Sequence, residues 1–355
     1  MSGLSFRIAM REDEPDLRRL LRENPMAGAY AVGFEKEPDA FGADFGLNDQ
    51  HCFIIARRAD SGEAVGMCEY LVAPAFVDGK IAPLPYLASL RVAKGDRHRI
   101  AILRGGFAAV RTCLEAGHQP YALTSIAADN DNAERVLTAG LPGLPTYSPA
   151  GCFSTLLVRC RGRHGSPRVT VAGDKDIPAL SAFLQKTLAR YQFAPVWTED
   201  RLRRCSSRFL VWRNGGAIRG SVCVWDQRSR RQTVVRSYPR PIARLRWLIN
   251  LAAPVVGLPS FPRTPAVLAS AFLSHLAAED EDPEILDDLL ASALASAAAS
   301  KLETVVLGCA EAHPWRSLIR SRWKCLEYQT NLYRVHWDAI PALDQRLPMP
   351  EAALL

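Results

Sequence analysis

Phe6-Arg7-Ile8-Ala9-Met10-Arg11-Glu12-Asp13-Glu14-Pro15-Asp16-Leu17 lies near the start of the chain, and Val169-Thr170-Val171-Ala172-Gly173-Asp174-Lys175-Asp176-Ile177-Pro178-Ala179-Leu180 lies near the start of its second half. Each stretch alternates like a strand and then opens a helix through an acidic residue and a proline. Ala9/Ala172, Asp13/Asp176, Pro15/Pro178 and Leu17/Leu180 match at a constant offset of 163 residues. Self-similarity at this scale predicts one folding unit built twice. Outward from these openings, the apolar runs Phe53 to Arg57 and Phe209 to Arg213 both end in Arg and lead to Gly66 and Gly220, as β-hairpins do. A further strand and a long helix follow in each half, at Leu84 to Val92 and Ile100 to Glu115, then at Val267 to Ala277 and Pro283 to Ser300. A last β–α unit and a final strand close both halves. The short, basic, breaker-rich segment 161–167 reads as the linker between domains 1–160 and 168–338, and 339–355 reads as a mobile tail.

Composition narrows the class. The chain has 355 residues, enough for two cores, with 48% apolar and 23% charged residues and a net charge of +7. The longest apolar run, Trp247 to Pro259, is broken by Asn250 and Pro254 and falls short of the roughly 20 residues that cross a bilayer. The charged N-terminus lacks the apolar core of a signal peptide, so a cytoplasmic location is expected. Nine cysteines without a C-x-x-C pair argue against a disulfide framework or a metal site. The basic stretch Arg228 to Arg246 reads as a strand followed by a helix, and its junction with the apolar run, Arg240 to Val256, also suits a membrane surface. No nucleic-acid partner is expected.

The repeated order β–α–α–β–β–β–α–β–α–β resembles the GNAT superfamily of acyl-CoA-dependent N-acyltransferases. The resemblance implies an α/β (α+β) chain of two tandem GNAT-like domains, each a mixed, mostly antiparallel sheet flanked by helices. The sharpest match is Leu90-Arg91-Val92, which resembles the end of that family's fourth strand. There a basic, glycine-rich turn follows and holds the CoA pyrophosphate on backbone N–H groups at a helix N-terminus, where unpaired donors and the helix dipole favour an anion. In this chain the turn runs Lys94-Gly95-Asp96-Arg97-His98-Arg99-Ile100-Ala101-Ile102, with Ile100 and Ile102 standing where the family has small residues. Leu90, Arg91, Val92, Arg97, His98, Arg99, Ile100 and Ala101 are therefore the expected cofactor-binding residues, for acetyl-CoA or another acyl-CoA as cosubstrate. Asn130, in Asn130-Asp131-Asn132-Ala133, resembles the family's N-x-x-A segment near the pantetheine arm, and it reads equally as an Asx turn and helix cap. A tyrosine that often follows as the acid for the thiolate is replaced by Leu137.

N-acyl transfer needs a base for the amine and a donor at the thioester. Glu69 is the candidate base, with an outward-facing strand carboxylate as the other reading, and Tyr86 and Ser89 are candidate donors. Glu35 and Glu37, with Asp39, suit a small cationic amine or amino-acid-like acceptor, or simply a solvated loop. In the second half the corresponding turn, Glu279-Asp280-Glu281-Asp282-Pro283-Glu284, is acidic and repels phosphate. The second domain is therefore expected not to bind CoA. His275 reads as a core histidine. Two functions follow: a CoA-dependent N-acyltransferase, or a degenerate tandem GNAT that binds a ligand or partner protein without catalysis.

Overall fold

The computed structural model describes residues 3–26, 31–114, 117–160, 165–205, 207–256 and 260–355. Linker residues 161–164 lie outside them, as do 27–30 of the candidate acceptor segment. The first half comprises β1 (Leu4–Ile8), α1 (Glu14–Glu23), β2 (Ala31–Glu35), β3 (Gln50–Arg58), β4 (Ala64–Val77), β5 (Lys80–Val92), α2 (Ile100–Arg111), β6 (Ala122–Ala127), α3 (Asp131–Leu137) and β7 (Thr146–Arg159). The second comprises β8 (Val169–Val171), α4 (Ile177–Leu188), α5 (Glu199–Arg204), β9 (Arg208–Asn214), β10 (Ala217–Trp225), β11 (Gln232–Ser237), α6 (Arg240–Val256), β12 (Ala266–Val267), β13 (Ser270–Ala278), α7 (Pro283–Ala299), β14 (Thr304–Ala310), α8 (Pro314–Arg322) and β15 (Cys325–His336).

The repeat seen in the sequence has a physical counterpart at its first turn. Asp13 Oδ2 accepts from Met10 N at 2.7 Å, and Asp176 Oδ2 accepts from Gly173 N at 2.8 Å, so each carboxylate starts its helix in the same way. An arginine next to the end of β3 and of β9 completes the motif. Arg57 Nη2 lies 2.6 Å from Asp13 Oδ1, and Arg213 Nη2 lies 2.9 Å from Asp176 Oδ1. Leu17, Leu20 and Leu21 of α1 and Leu180 and Leu184 of α4 are fully or almost fully buried, as the helical spacing requires.

Twelve strands form one sheet in the order β1-β3-β4-β5-β6-β15-β7-β14-β13-β10-β9-β8. All pairings are antiparallel except β5 with β6 and β13 with β14. The final strands are exchanged: β15, from the second half, pairs with β6, while β7, from the first, pairs with β14 and with β15. The sequence thus divides the chain near residue 160, but the sheet does not divide there.

Two expectations are corrected. Among the described residues the first half has no second α-helix between α1 and β3, only a 3-10 turn at Phe41–Asp44; β2 stands there and pairs with β11, and β12 completes a small three-stranded sheet across the halves. The tail is not mobile. Gln192 N donates to Leu347 O at 2.9 Å and Met349 N to Gln192 O at 2.8 Å, while Met349 and Ala353 join the core around Trp197 and Trp225. Its sequence misleads because prolines and small residues pack here against Gly151 and Gly308, whose missing side chains leave room for Pro348 and Ala352. Met349→Ala is expected to destabilise the protein by about 2–5 kcal/mol in urea unfolding, the range for emptying a buried methionine site, whereas a mobile tail predicts no change.

Candidate active site at the first splayed cleft

β4 and β5 fall out of register between Glu69, opposite Ala88, and Met67, opposite Arg91. Ser89 and Leu90 therefore face a single partner, and Ser89 takes φ +53°. Past this bulge β5 leaves β6, to which it is registered only at Tyr86–Leu123 and Leu87–Thr124. A parallel pair that separates in this way opens a cleft. The second half repeats the device: Ser221 lies opposite Ala277 and Cys223 opposite Ser274, with His275 at φ +55°.

The two clefts differ in content. At the second, the tail is inserted. His275 N donates to Glu351 Oε2 at 3.0 Å and Ala310 N contacts Met349 Sδ at 3.3 Å, so the widened gap is filled by the chain itself. His275 is a core histidine, stacked on Trp197 at 3.7 Å and drawn down to about 3 by burial and by Arg201. At the first, the bulge carries a buried polar cluster. Glu69 receives both the Lys36 ammonium and His51 Nε2, the latter at 2.9 Å, and Ser89 Oγ donates to its other oxygen at 2.8 Å. Burial pushes the Glu69 carboxyl upward, but the Lys36 charge and the His51 bond outweigh it and hold the group well below the ordinary carboxylate range. Tyr86 OH bonds Ser125 Oγ at 2.8 Å across the mouth of the cleft, and burial raises its phenol to about 12. Arg231, from the second half, is half-buried within electrostatic reach of Glu69 and Tyr86 and donates to Ala353 O at 2.8 Å and Leu355 O at 3.0 Å.

The basic turn lies where the sequence puts it. Lys94, Arg97 and His98 are exposed, Arg99 is half-buried, and α2 starts at Ile100 with no side chain capping it. Asp96, the single acid of the turn, is already held by Arg58 at 2.7 Å and Arg99 at 3.1 Å. Ile102 points inward against Gly66, Ala56 and Val65, so its side chain does not cover the helix N-terminus; Ile100 and Ala101 are half-buried there. Arg91 donates to Leu90 O at 2.9 Å, and Leu90 and Val92 line an apolar pocket beneath α2 with a cavity of about 20 Å3. At the second half the matching helix start is occupied: Asp282 Oδ1 caps α7 by accepting from Glu284 N at 2.7 Å and Ile285 N at 3.4 Å. Two of its acids are paired with cations the local sequence does not contain, Glu279 with Arg219 and Glu284 with Arg168.

Glu69, Ser89 and Tyr86 thus meet at the first cleft, next to Leu90, Arg91 and Val92. Glu35 and Glu37 are committed elsewhere. Arg236 Nε holds Glu35 at 2.7 Å, Arg18 holds Glu37, and Arg11 holds Asp39 at 2.7 Å. Asn130 caps α3, accepting from Ala133 N at 3.3 Å, and Leu137 is buried beneath it. Sequence reading missed Lys36, His51 and Arg231. Lys36 was hidden in an acidic run, His51 at the polar start of β3, and Arg231 in a basic stretch whose members looked alike.

No family model matches the chain, and no curated protein does. Solved structures do match. The N-myristoyltransferase of Saccharomyces cerevisiae with bound myristoyl-CoA aligns at TM-score 0.64 and 12% identity over 98% of this chain and 88% of that one. A GCN5-related N-acetyltransferase from Sphaerobacter thermophilus aligns at 0.52 and 11%, over 96% and 98%. Another from Anabaena variabilis aligns at 0.51 and 10%, over 93% and 72%. The chain shares the fold of these proteins, a GNAT-type fold built in tandem.

Glu351 makes one part of this arrangement testable. Burial raises its carboxyl to about 7, against hydrogen bonds from His275 and Ala353. A carboxyl raised in the folded state stabilises fully below its unfolded value, near 4.5, and that contribution is lost as pH rises through 7. Glu351→Gln is therefore expected to remove a fall of about 3 kcal/mol in stability between pH 4.5 and 8, an order-of-magnitude figure from roughly 2.5 pH units of displacement. Urea unfolding of both proteins across that range measures it.

Proposed function

We propose that the protein is an acyl-CoA-dependent N-acyltransferase whose single working site is the first cleft. The observation that carries this reading is the contrast between the clefts. One has an uncapped helix start beside Lys94, Arg97 and Arg99; the other is filled by the tail, and Asp282 caps its helix. Pyrophosphate is stabilised at the first by N–H donors and cations and excluded from the second.

In the proposed reaction the acceptor nitrogen bonds to the thioester carbon, the C–S bond breaks, and the thiol sulfur leaves with the electron pair. Tyr86, protonated at neutral pH, donates to that sulfur in place of the acid missing at Leu137. The ionised Glu69, low in basicity, serves to orient His51, which takes the amine proton and passes it to solvent, from which the Tyr86 oxygen is reprotonated. Ser89 fixes the second Glu69 oxygen. With Glu35 and Glu37 paired to arginines, Asp44, 3.8 Å from His51 Nδ1, is the carboxylate that meets the ammonium of a small amine or amino-acid-like acceptor.

The commitment of Glu69 to Lys36 also favours the second reading, a tandem GNAT that binds without turnover. Calorimetry and a thiol-release assay separate the two. Acetyl-CoA is expected to bind saturably, with affinity reduced about tenfold or more by Arg97→Glu, a loss of roughly 1.4 kcal/mol or more, and unchanged by Glu284→Lys. Tyr86→Phe is expected to keep binding and lower thiol release by about 100-fold, the range for losing a general acid. Binding without thiol release across a panel of amines, or no binding of acetyl-CoA at all, refutes the first reading and supports the non-catalytic one.

A further inference from the structure

The helix α6 has two faces that do not match an ordinary surface helix. Its inner face is anchored: Arg246 Nη1 and Asn250 Nδ2 donate to Phe261 O at 3.1 and 2.9 Å, Phe261 N donates back to Asn250 Oδ1 at 2.7 Å, and Ala253 is buried. Its outer face carries Trp247, Leu248 and Leu251, with 65, 43 and 73% of their surface exposed, in line with Arg240 and Arg244. Positions 240, 244, 247, 248 and 251 follow helical spacing, so these side chains share one side. Leu245, 51% exposed, flanks them. Exposing a tryptophan and three leucines on one helix forfeits burial worth about 1.5–3 kcal/mol for each such side chain, which calls for an occupant.

We infer that α6 is an interfacial helix that docks the protein on an anionic phospholipid surface. Charge complementarity selects this occupant. The segment Arg240 to Val256 has three arginines and no acidic residue, in a chain of net charge +7. Arg240 and Arg244 lead into Trp247, Leu248 and Leu251 on this side, so the helix mixes guanidinium groups with apolar side chains and has no acid to repel a phosphate. At a bilayer the same mixture is favourable: leucines enter the acyl boundary, tryptophan sits at headgroup level, and guanidinium groups reach the phosphates. No helix among the described residues is long and apolar enough to cross a membrane, so α6 lies on the surface.

Co-sedimentation of the full chain with extruded vesicles tests this. The protein is expected to pellet with phosphatidylcholine–phosphatidylglycerol vesicles, to stay in solution with phosphatidylcholine alone, and to be released by high salt. Arg244→Glu is expected to weaken partition by about fivefold or more. Leu251→Glu is expected to weaken it by about tenfold or more. Thermal melts of both variants should match the parent, because the two side chains are exposed. The inference is overturned by equal binding to neutral and anionic vesicles, by no binding, or by variants that bind as the parent does. It is also overturned if sedimentation velocity shows a dimer that Leu251→Glu dissociates, which assigns the face to a second copy.

Discussion

β7 and β15 run antiparallel from Val158 opposite Cys325 to Thr146 opposite His336, and each closes the half that did not encode it. Everything else in the molecule depends on this exchange. Strands with unpaired edges are sites of aggregation, and β6 and β14 would both have such edges if the halves folded separately. With the last strands exchanged, each half covers the other's open edge and twelve strands become one sheet. The halves are then held in a fixed relation without relying on the short linker. The small sheet of β2, β11 and β12 ties them a second time, and Gln232 reinforces it by bonding Glu37 N and O at 3.0 and 2.9 Å.

A fixed relation lets one half furnish the other's site. Lys36 follows β2 and Arg231 precedes β11, and the β2–β11 pairing brings both to the cluster around Glu69. Burying Glu69 beside Lys36 costs desolvation that only close pairing offsets, so neither residue can be altered alone without stranding a charge. The tail uses the same frame. It crosses the second cleft at His275, then reaches Arg231, so the segment that fills one cleft also braces the polar wall of the other. Two equivalent bulges thereby acquire different surroundings from one chain.

Legibility in the sequence followed the range of the interaction. Asp13 and Asp176 cap turns three residues away, and the leucines of α1 and α4 follow helical spacing, so the repeated openings were readable. Arg57 and Arg213 were visible as the ends of matching strands, although their partners were not. The basic turn at Lys94 to Arg99 and the acidic one at Glu279 to Glu284 were equally plain, since charge is read from composition. Glu69, Tyr86 and Ser89 could be nominated because they lie on or beside the bulged strand. Lys36, His51 and Arg231 could not, because the closest of them to Glu69 is 18 residues away and the farthest belongs to the other half.

By itself, then, the sequence determined the repeated α/β unit, the helix and strand periodicity, and the opposite charge of the two turns, all of which arise from contacts within a few residues. Tertiary structure alone decided which final strand closes which half, that Pro348 to Leu355 pack as a plug, and that Glu35 and Glu37 are consumed by Arg236 and Arg18. It also decided that Glu69 is an ionised, buried anchor between Lys36 and His51. The physical reason is that strand pairing and the desolvation of charge depend on groups brought together across the sheet. Residues 35 and 236 or 231 and 355 carry no local mark of their partners until the backbone places them side by side.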